Sequence, residues 1–312
     1  MSRCLICRRP LETGDYHPAC AKHFFGVGTP PELPYGLDEI AELAKQTVQS
    51  SVTVTGVQPK LSLHIEKSGP KKRRFTIVGL WGAFILKPPF QQYPHLPEIE
   101  DATMHLADAA GIATVPHALI RMKNGELAYL TRRIDRDGER RIHMEDMCQL
   151  SGRLTEDKYR GSYEQIGRIV KEHAANTGFD LIRFAETVLF SFLTGNTDMH
   201  LKNFSLRYDG VTATLAPAYD LVATKLVLPE DIEETALTLN GKKRRLTARD
   251  FRLFCGAIGL TEKQTRSLID RMIEAAERFP ASLEESFLPA PVRQSFAALV
   301  AERRERLLTK GS

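Results

Sequence analysis

Residues 195–204 read Gly195-Asn196-Thr197-Asp198-Met199-His200-Leu201-Lys202-Asn203-Phe204, and the reading of this stretch decides the fold. Asp198 and Asn203 stand five apart. That is the Asp-x₄-Asn spacing of a phosphoryl-transfer loop, in which the aspartate accepts the proton of the attacking hydroxyl and the asparagine holds Mg²⁺. The spacing alone is cheap, since a chain of this length carries it roughly once by chance. Its surroundings add weight. Upstream, residues 181–194 (LIRFAETVLFSFLT) are apolar nearly all round, which predicts a buried helix. Downstream, FSLRY predicts a strand and Asp209-Gly210 the turn of a hairpin. The hairpin would return the chain to Ala216-Pro-Ala-Tyr-Asp220. Asp220 would then lie beside the loop and offer the hard oxygen that Mg²⁺ takes. The bland competitor is a polar turn capped by an aspartate.

Phosphoryl transfer needs few other parts: a loop over the phosphates, a lysine to neutralise them, and ligands for the metal. Lys87 closes a predicted strand, AFILK, that Pro88-Pro89 terminates because proline cannot donate to a ladder. It can reach the phosphates and pair with a glutamate on the next predicted helix, residues 97–110, where Glu100 is preferred and Glu98 second. Otherwise it is a strand-end lysine in solvent. Thr53-Val-Thr55-Gly56-Val57-Gln58-Pro stands where a phosphate-covering loop belongs, with a single glycine. Thr53 and Thr55 would bring hydroxyls there, or serve only as β-formers. Lys202 is a candidate to stabilise the transferring charge, with plain exposure as the alternative, and His200 is read as packing against the loop.

Outward from these residues the chain orders itself. Residues 50–90 predict a small antiparallel sheet with a basic hairpin tip at Lys71 to Arg74. LIRMK and ELAYLTRRI predict a further hairpin around Asn124-Gly125. From about residue 142 the pattern turns helical, with helix starts at Ser162-x-x-Gln165, Thr247-x-x-Asp250 and Thr261-x-x-Gln264. The expected class is α+β: a two-lobed, protein-kinase-like fold. It would have a small β-rich N-lobe over residues 26–140 that binds ATP and a larger helical C-lobe over 141–312.

Residues 1–25 read as a separate small segment, in which Cys4-x-x-Cys7 is followed by His17-x-x-Cys20. Two-residue gaps let paired ligands converge on one tetrahedral Zn²⁺; His23 could replace His17, and a reduced, metal-free hairpin is the alternative. With five cysteines in all and no apolar export signal, a disulfide framework is not expected. The net charge of +4 is too small to diagnose direct nucleic-acid binding, and the basic clusters at 132–141 and 242–245 read as solvated segments. No run of 18 apolar residues is present, so a membrane span is not expected and the cytoplasm is the default.

Taken together, six blocks resemble the HipA kinase family, in the family's order. They are Gly56-Val-Gln-Pro-Lys-Leu61, Phe84-Ile-Leu-Lys-Pro88, Thr131-Arg-Arg-Ile-Asp-Arg136, His143-Met-Glu-Asp-Met-Cys-Gln149, the 195–204 stretch and Ala216-Pro-Ala-Tyr-Asp220. The resemblance covers about residues 50–300 and is far more specific than any one block. It implies a Ser/Thr kinase using ATP and Mg²⁺, with Asp198 catalytic, Asn203 and Asp220 on the metal, and Lys87 on ATP phosphate. It implies inhibitory autophosphorylation at Thr53, with Thr55 two further on, where the family usually has serine. It also implies a toxin–antitoxin system with a HipB-like DNA-binding antitoxin through which DNA would be reached, and an aminoacyl-tRNA synthetase as the substrate class. Full-length members carry an additional N-terminal subdomain. This chain looks like the shorter relatives, in which a separate small protein replaces it.

Overall fold

A computed structural model describes residues 2–40, 42, 59–69, 72–78, 81–138 and 140–309. They divide into two compact units, Met1–Asp101 with Val115–Gly138 and Glu285–Phe287, and Ala102–Thr114 with Glu139–Glu284 and Leu288–Ser312. The mixed α+β class expected of the sequence is what the chain adopts.

The first unit is built on a five-stranded sheet in the order Arg73–Val78, Leu61–Lys67, Phe84–Lys87, Leu127–Arg132, His117–Arg121. Every neighbouring pair is antiparallel. The two hairpins read separately in the sequence are therefore one sheet, because Phe84–Lys87 pairs on both sides. Arg73 and Arg74 belong to a strand and not to the expected hairpin tip; Lys71 lies outside the described residues. Leu61, Leu63, Phe75, Phe84, Leu86 and Leu130 are buried in one core, as the two-residue period of a half-buried strand requires. The entry to the central strand needs Gly82: a Cβ there would stand 2.5 Å from the Leu63 carbonyl oxygen.

Residues 2–25 fold onto this unit. Ser2–Arg3 pairs with Pro10–Leu11, and the helix Pro18–Phe25 ends at Gly26 in the left-handed conformation. Phe24 and Phe25 enter the sheet's core, Phe25 lying 6.1 Å from Phe75 between ring centroids. Residues 37–40 are helical.

In the second unit, Met144–Asp146, Ser205–Asp209 and Thr212–Leu215 form a three-stranded antiparallel sheet. Its first strand falls where the sequence pattern turns helical, and was not expected. The helices Tyr163–His173, Ala248–Ile258, Glu262–Glu284 and Ala290–Leu308 surround Thr177–Thr194. That helix is buried on all sides from Phe184 to Thr194. Ser162 and Thr247 close the expected capping boxes. No helix among the described residues is long and apolar enough to cross a membrane.

Candidate active site

The loop after the buried helix is shaped by its first residue. Gly195 is left-handed (φ 67°), and a Cβ there would stand 2.6 Å from Leu299 Cδ2, so any other residue would carry backbone strain and push Leu299 aside. The next residues are pinned in turn. Thr197 N–H donates to Thr224 Oγ1 (2.7 Å) and Thr197 Oγ1 to Asp231 Oδ2 (2.9 Å). Asp198 N–H donates to Asn196 Oδ1 (3.1 Å), and Asn203 Nδ2 donates back to the Asp198 carbonyl (3.3 Å). Asp198 and Asn203 thus sit on one tight turn, with Leu201–Asn203 in a single 3₁₀ turn.

The Asp198 carboxylate takes a 2.6 Å hydrogen bond from the Tyr159 hydroxyl. Burial, then the bond to Asp198, push the Tyr159 phenol far above its ordinary range, so it remains a donor at neutral pH. His200 is buried under Tyr159, edge-to-face at 5.0 Å. Burial lowers its imidazole, although Asp198 and Asp220 pull the other way. Among the described residues its Nδ1 has no hydrogen-bond partner. Both carboxylates act electrostatically on both Tyr159 and His200, which brings Asp220 to the same locality as Asp198.

Asp220 arrives there by the hairpin expected from Asp209-Gly210. Ser205–Asp209 pairs with Thr212–Leu215, with Gly210 in the turn at φ 59°. Tyr219 then anchors the return: its hydroxyl donates to the Lys202 carbonyl (2.9 Å) and lies 2.5 Å from Ser205 Oγ. Ala218 N–H and Ala223 N–H bond Ala113 O (2.8 Å) and Thr103 Oγ1 (3.2 Å). Between these anchors Asp220 is forced to φ 59°, a conformation uncommon for a residue with a Cβ. Lys202 makes an ion pair with Asp146 (2.8 Å), whose carboxylate also caps the helix Met147–Leu150.

In the first unit, Lys87 Nζ stands 2.5 Å from Glu100 Oε1, and their side chains are 5% and 1% exposed. The ammonium also lies over the Tyr129 ring at 5.4 Å, its register neighbour on the next strand. Glu98 is partly buried, and that burial raises its carboxyl. The candidates Thr53, Thr55, Gly56, Val57 and Gln58 lie outside the described residues. Cys4, Cys7, His17 and Cys20 come together, with their ligand atoms all within 4.8 Å of one another.

Tyr159, Tyr219 and Asp146 were not anticipated from the sequence. They reach the loop from 39, 17 and 56 positions away, with no spacing pattern to mark them.

Comparison with known proteins identifies the family. The model of the HipA-like C-terminal domain matches residues 52–279. A Haemophilus influenzae protein provisionally named as a kinase is 29% identical over 93% of both chains. The Shewanella oneidensis serine/threonine-protein kinase toxin HipA is 28% identical over 83% of this chain, but only 63% of its own length is matched. Among solved structures, the Shewanella oneidensis complex of HipA, HipB and operator DNA superimposes with a TM-score of 0.68. It covers 86% of this chain and 71% of that one at 24% identity, a likeness that speaks to the fold. With nearly three quarters of its length under one family model and the six blocks in order, the chain belongs to the HipA-like C-terminal domain family.

Proposed function

We propose that this chain is an ATP- and Mg²⁺-dependent protein serine/threonine kinase, and that it acts as the toxin of a toxin–antitoxin pair. One observation carries the reading. Asp198 is held on a turn closed by Asn203, and Asp220, in a costly backbone conformation, bears on the same two side chains, Tyr159 and His200. Two carboxylates brought to one locality suit a divalent cation with hard oxygen ligands.

Asp198 would orient the substrate hydroxyl and accept its proton, with Tyr159 fixing the rotamer of the carboxylate. Asn203 and Asp220 would hold Mg²⁺; an amide and a carboxylate are the hard oxygen donors that ion takes. The ion would neutralise phosphate charge. Lys87, oriented by Glu100, would do the same for phosphate oxygens. Lys202 is placed by Asp146 beside the catalytic turn and would act on charge developing there. Thr53, or Thr55, would receive an inhibitory autophosphorylation near Gly56, Val57 and Gln58. The partner would be a HipB-like DNA-binding protein, together with a small companion protein. An aminoacyl-tRNA synthetase would be the substrate, in a cytoplasmic setting.

The test is ATP consumption and phosphate transfer by the wild type and Asp198→Ala, with and without a bacterial protein extract as acceptor. Wild-type labelling of protein serine or threonine is expected. The variant should lose about 10²–10⁴-fold in rate with an unchanged melting curve. Transfer only to small molecules would replace the protein-kinase reading, and wild-type turnover by the variant would remove Asp198 from the mechanism.

A further inference from the structure

We infer that Cys4, Cys7, His17 and Cys20 bind one Zn²⁺, and that this metal locks residues 2–25 onto the edge of the five-stranded sheet. The inference is independent of the kinase reading. Three sulfurs and one imidazole converge within 4.8 Å. A tetrahedral zinc with Zn–S bonds of about 2.3 Å and a Zn–N bond of about 2.0 Å sets its sulfur–nitrogen edges at about 3.5 Å. His17 Nδ1 lies 3.4 Å from Cys7 Sγ and 3.9 Å from Cys20 Sγ.

The tautomer of His17 follows from its other nitrogen. Nε2 lies 3.0 Å from the Pro10 carbonyl oxygen, which can only accept, so Nε2 carries the proton. The Nδ1 lone pair is left facing the sulfurs. A histidine ligand oriented by a backbone carbonyl through its distal N–H is the usual outer support of a metal site.

The backbone around Cys4 and Cys7 has the form of a knuckle. Arg8 N–H bonds the Cys4 carbonyl (2.9 Å) and Cys4 N–H bonds Arg9 O (3.0 Å). The His17 amide lies 3.5 Å from Cys4 Sγ, and Arg9 Nε donates to Cys7 Sγ at 3.5 Å. Three thiolates and Zn²⁺ sum to one negative charge, which the Arg9 cation offsets. Binding would displace the thiol protons into solvent.

What the metal would hold is visible in the same unit. Leu119 N–H, on the edge strand His117–Arg121, bonds Leu5 O (2.9 Å), and the Tyr16 hydroxyl donates to Leu119 O (3.0 Å). Leu5 follows Cys4 and Tyr16 precedes His17, so two of the ligands sit beside the two groups that cover the sheet edge. Arg8 is left-handed at φ 61°, a position where glycine is favoured. Its guanidinium makes two hydrogen bonds to Asp101 Oδ2 (2.6 and 3.1 Å), with both side chains buried. The turn between the cysteines is thus also tied to the helix Leu96–Ala109. A segment of this length has too little apolar surface for a core of its own, which is where a metal substitutes for one.

The full chain, purified without a polyhistidine tag and kept reduced, is analysed for metal by mass spectrometry and then refilled with Co²⁺. About one zinc per chain is expected, and the Co²⁺ form should show thiolate charge-transfer bands with tetrahedral visible bands. A mercurial thiol reagent should release the zinc to a chromogenic chelator, and the wild-type melting temperature should fall when zinc is stripped. The double variant Cys4→Ser/Cys7→Ser should bind no zinc; Arg8→Ala should keep its zinc yet melt lower. Zinc near zero after incubation with excess Zn²⁺ and reductant overturns the site. So does retention of zinc by the double variant. An unchanged wild-type melting curve on stripping overturns the locking role.

Discussion

The Lys87–Glu100 pair offers a test in which stability and chemistry separate. Both side chains are almost entirely buried and their charged atoms are 2.5 Å apart. Removing either partner breaks a buried ion pair, a change that costs about 3–5 kcal/mol. At roughly 2–4 °C per kcal/mol, Lys87→Met and Glu100→Leu should each melt about 6–20 °C below the wild type. The double variant should be more stable than either single one, because two apolar side chains of similar volume need no solvation. Tyr129 beneath Lys87 supplies an apolar surface for the methionine. Far-UV circular dichroism in urea is the suitable assay, since Trp81 is 59% exposed and would report poorly. The double variant should still lack phosphoryl transfer, because the fold is restored and the phosphate-binding cation is not. Strictly additive destabilisation in the double variant would refute the claim that the two charges compensate one another. Transfer by Lys87→Met would refute the phosphate role.

Further outcomes follow from the second unit and from the residues before the sheet. Asp220→Asn should weaken nucleotide binding in Mg²⁺ far more than in EDTA, as read by titration calorimetry, because it removes one anionic ligand from a hard-cation site; equal weakening in both would make Asp220 structural. His200 is held below its ordinary pKa by burial. Its contribution to stability is therefore present above about pH 6.5 and lost as pH falls through the lowered value. Wild-type stability should drop more steeply than that of His200→Gln as pH falls below about 6.5, and parallel curves would contradict this. Incubation with ATP should add phosphate at Thr53, placing roughly −1.5 to −2 charge there and slowing further turnover. Mass spectrometry showing only Thr55 would move the site, and no phosphate would remove it.

Much of this arrangement was legible because it is local. A stretch apolar nearly all round marked the buried helix, Asp209-Gly210 marked the hairpin, and Ser162 and Thr247 marked helix starts through capping boxes that close within four residues. Cys4, Cys7, His17 and Cys20 were legible as a spacing, and the structure brings them together. The long-range contacts were not. Tyr159 reaches Asp198, Asp146 reaches Lys202 and Arg8 reaches Asp101 across 39, 56 and 93 residues. Pairings of that kind obey no period, and tertiary packing alone selects them. The joining of two hairpins into one sheet was missed for the same reason, since strand order is a non-local property. The left-handed backbone at Asp220 leaves no trace in sequence, where such a position would be read as a call for glycine or asparagine.

That backbone has a consequence for how the protein changes over generations. An L-residue in the left-handed region costs about 1–2 kcal/mol relative to glycine. Asp220→Gly would therefore relax the chain while deleting the proposed metal ligand. Under selection for the reaction, the aspartate is retained against its own conformational cost. Once that selection lapses, as in a lineage whose toxin has become a burden, drift and stability push in the same direction at this site. Glycine or asparagine at the equivalent position of a relative would then mark a chain that has kept its fold and abandoned its chemistry.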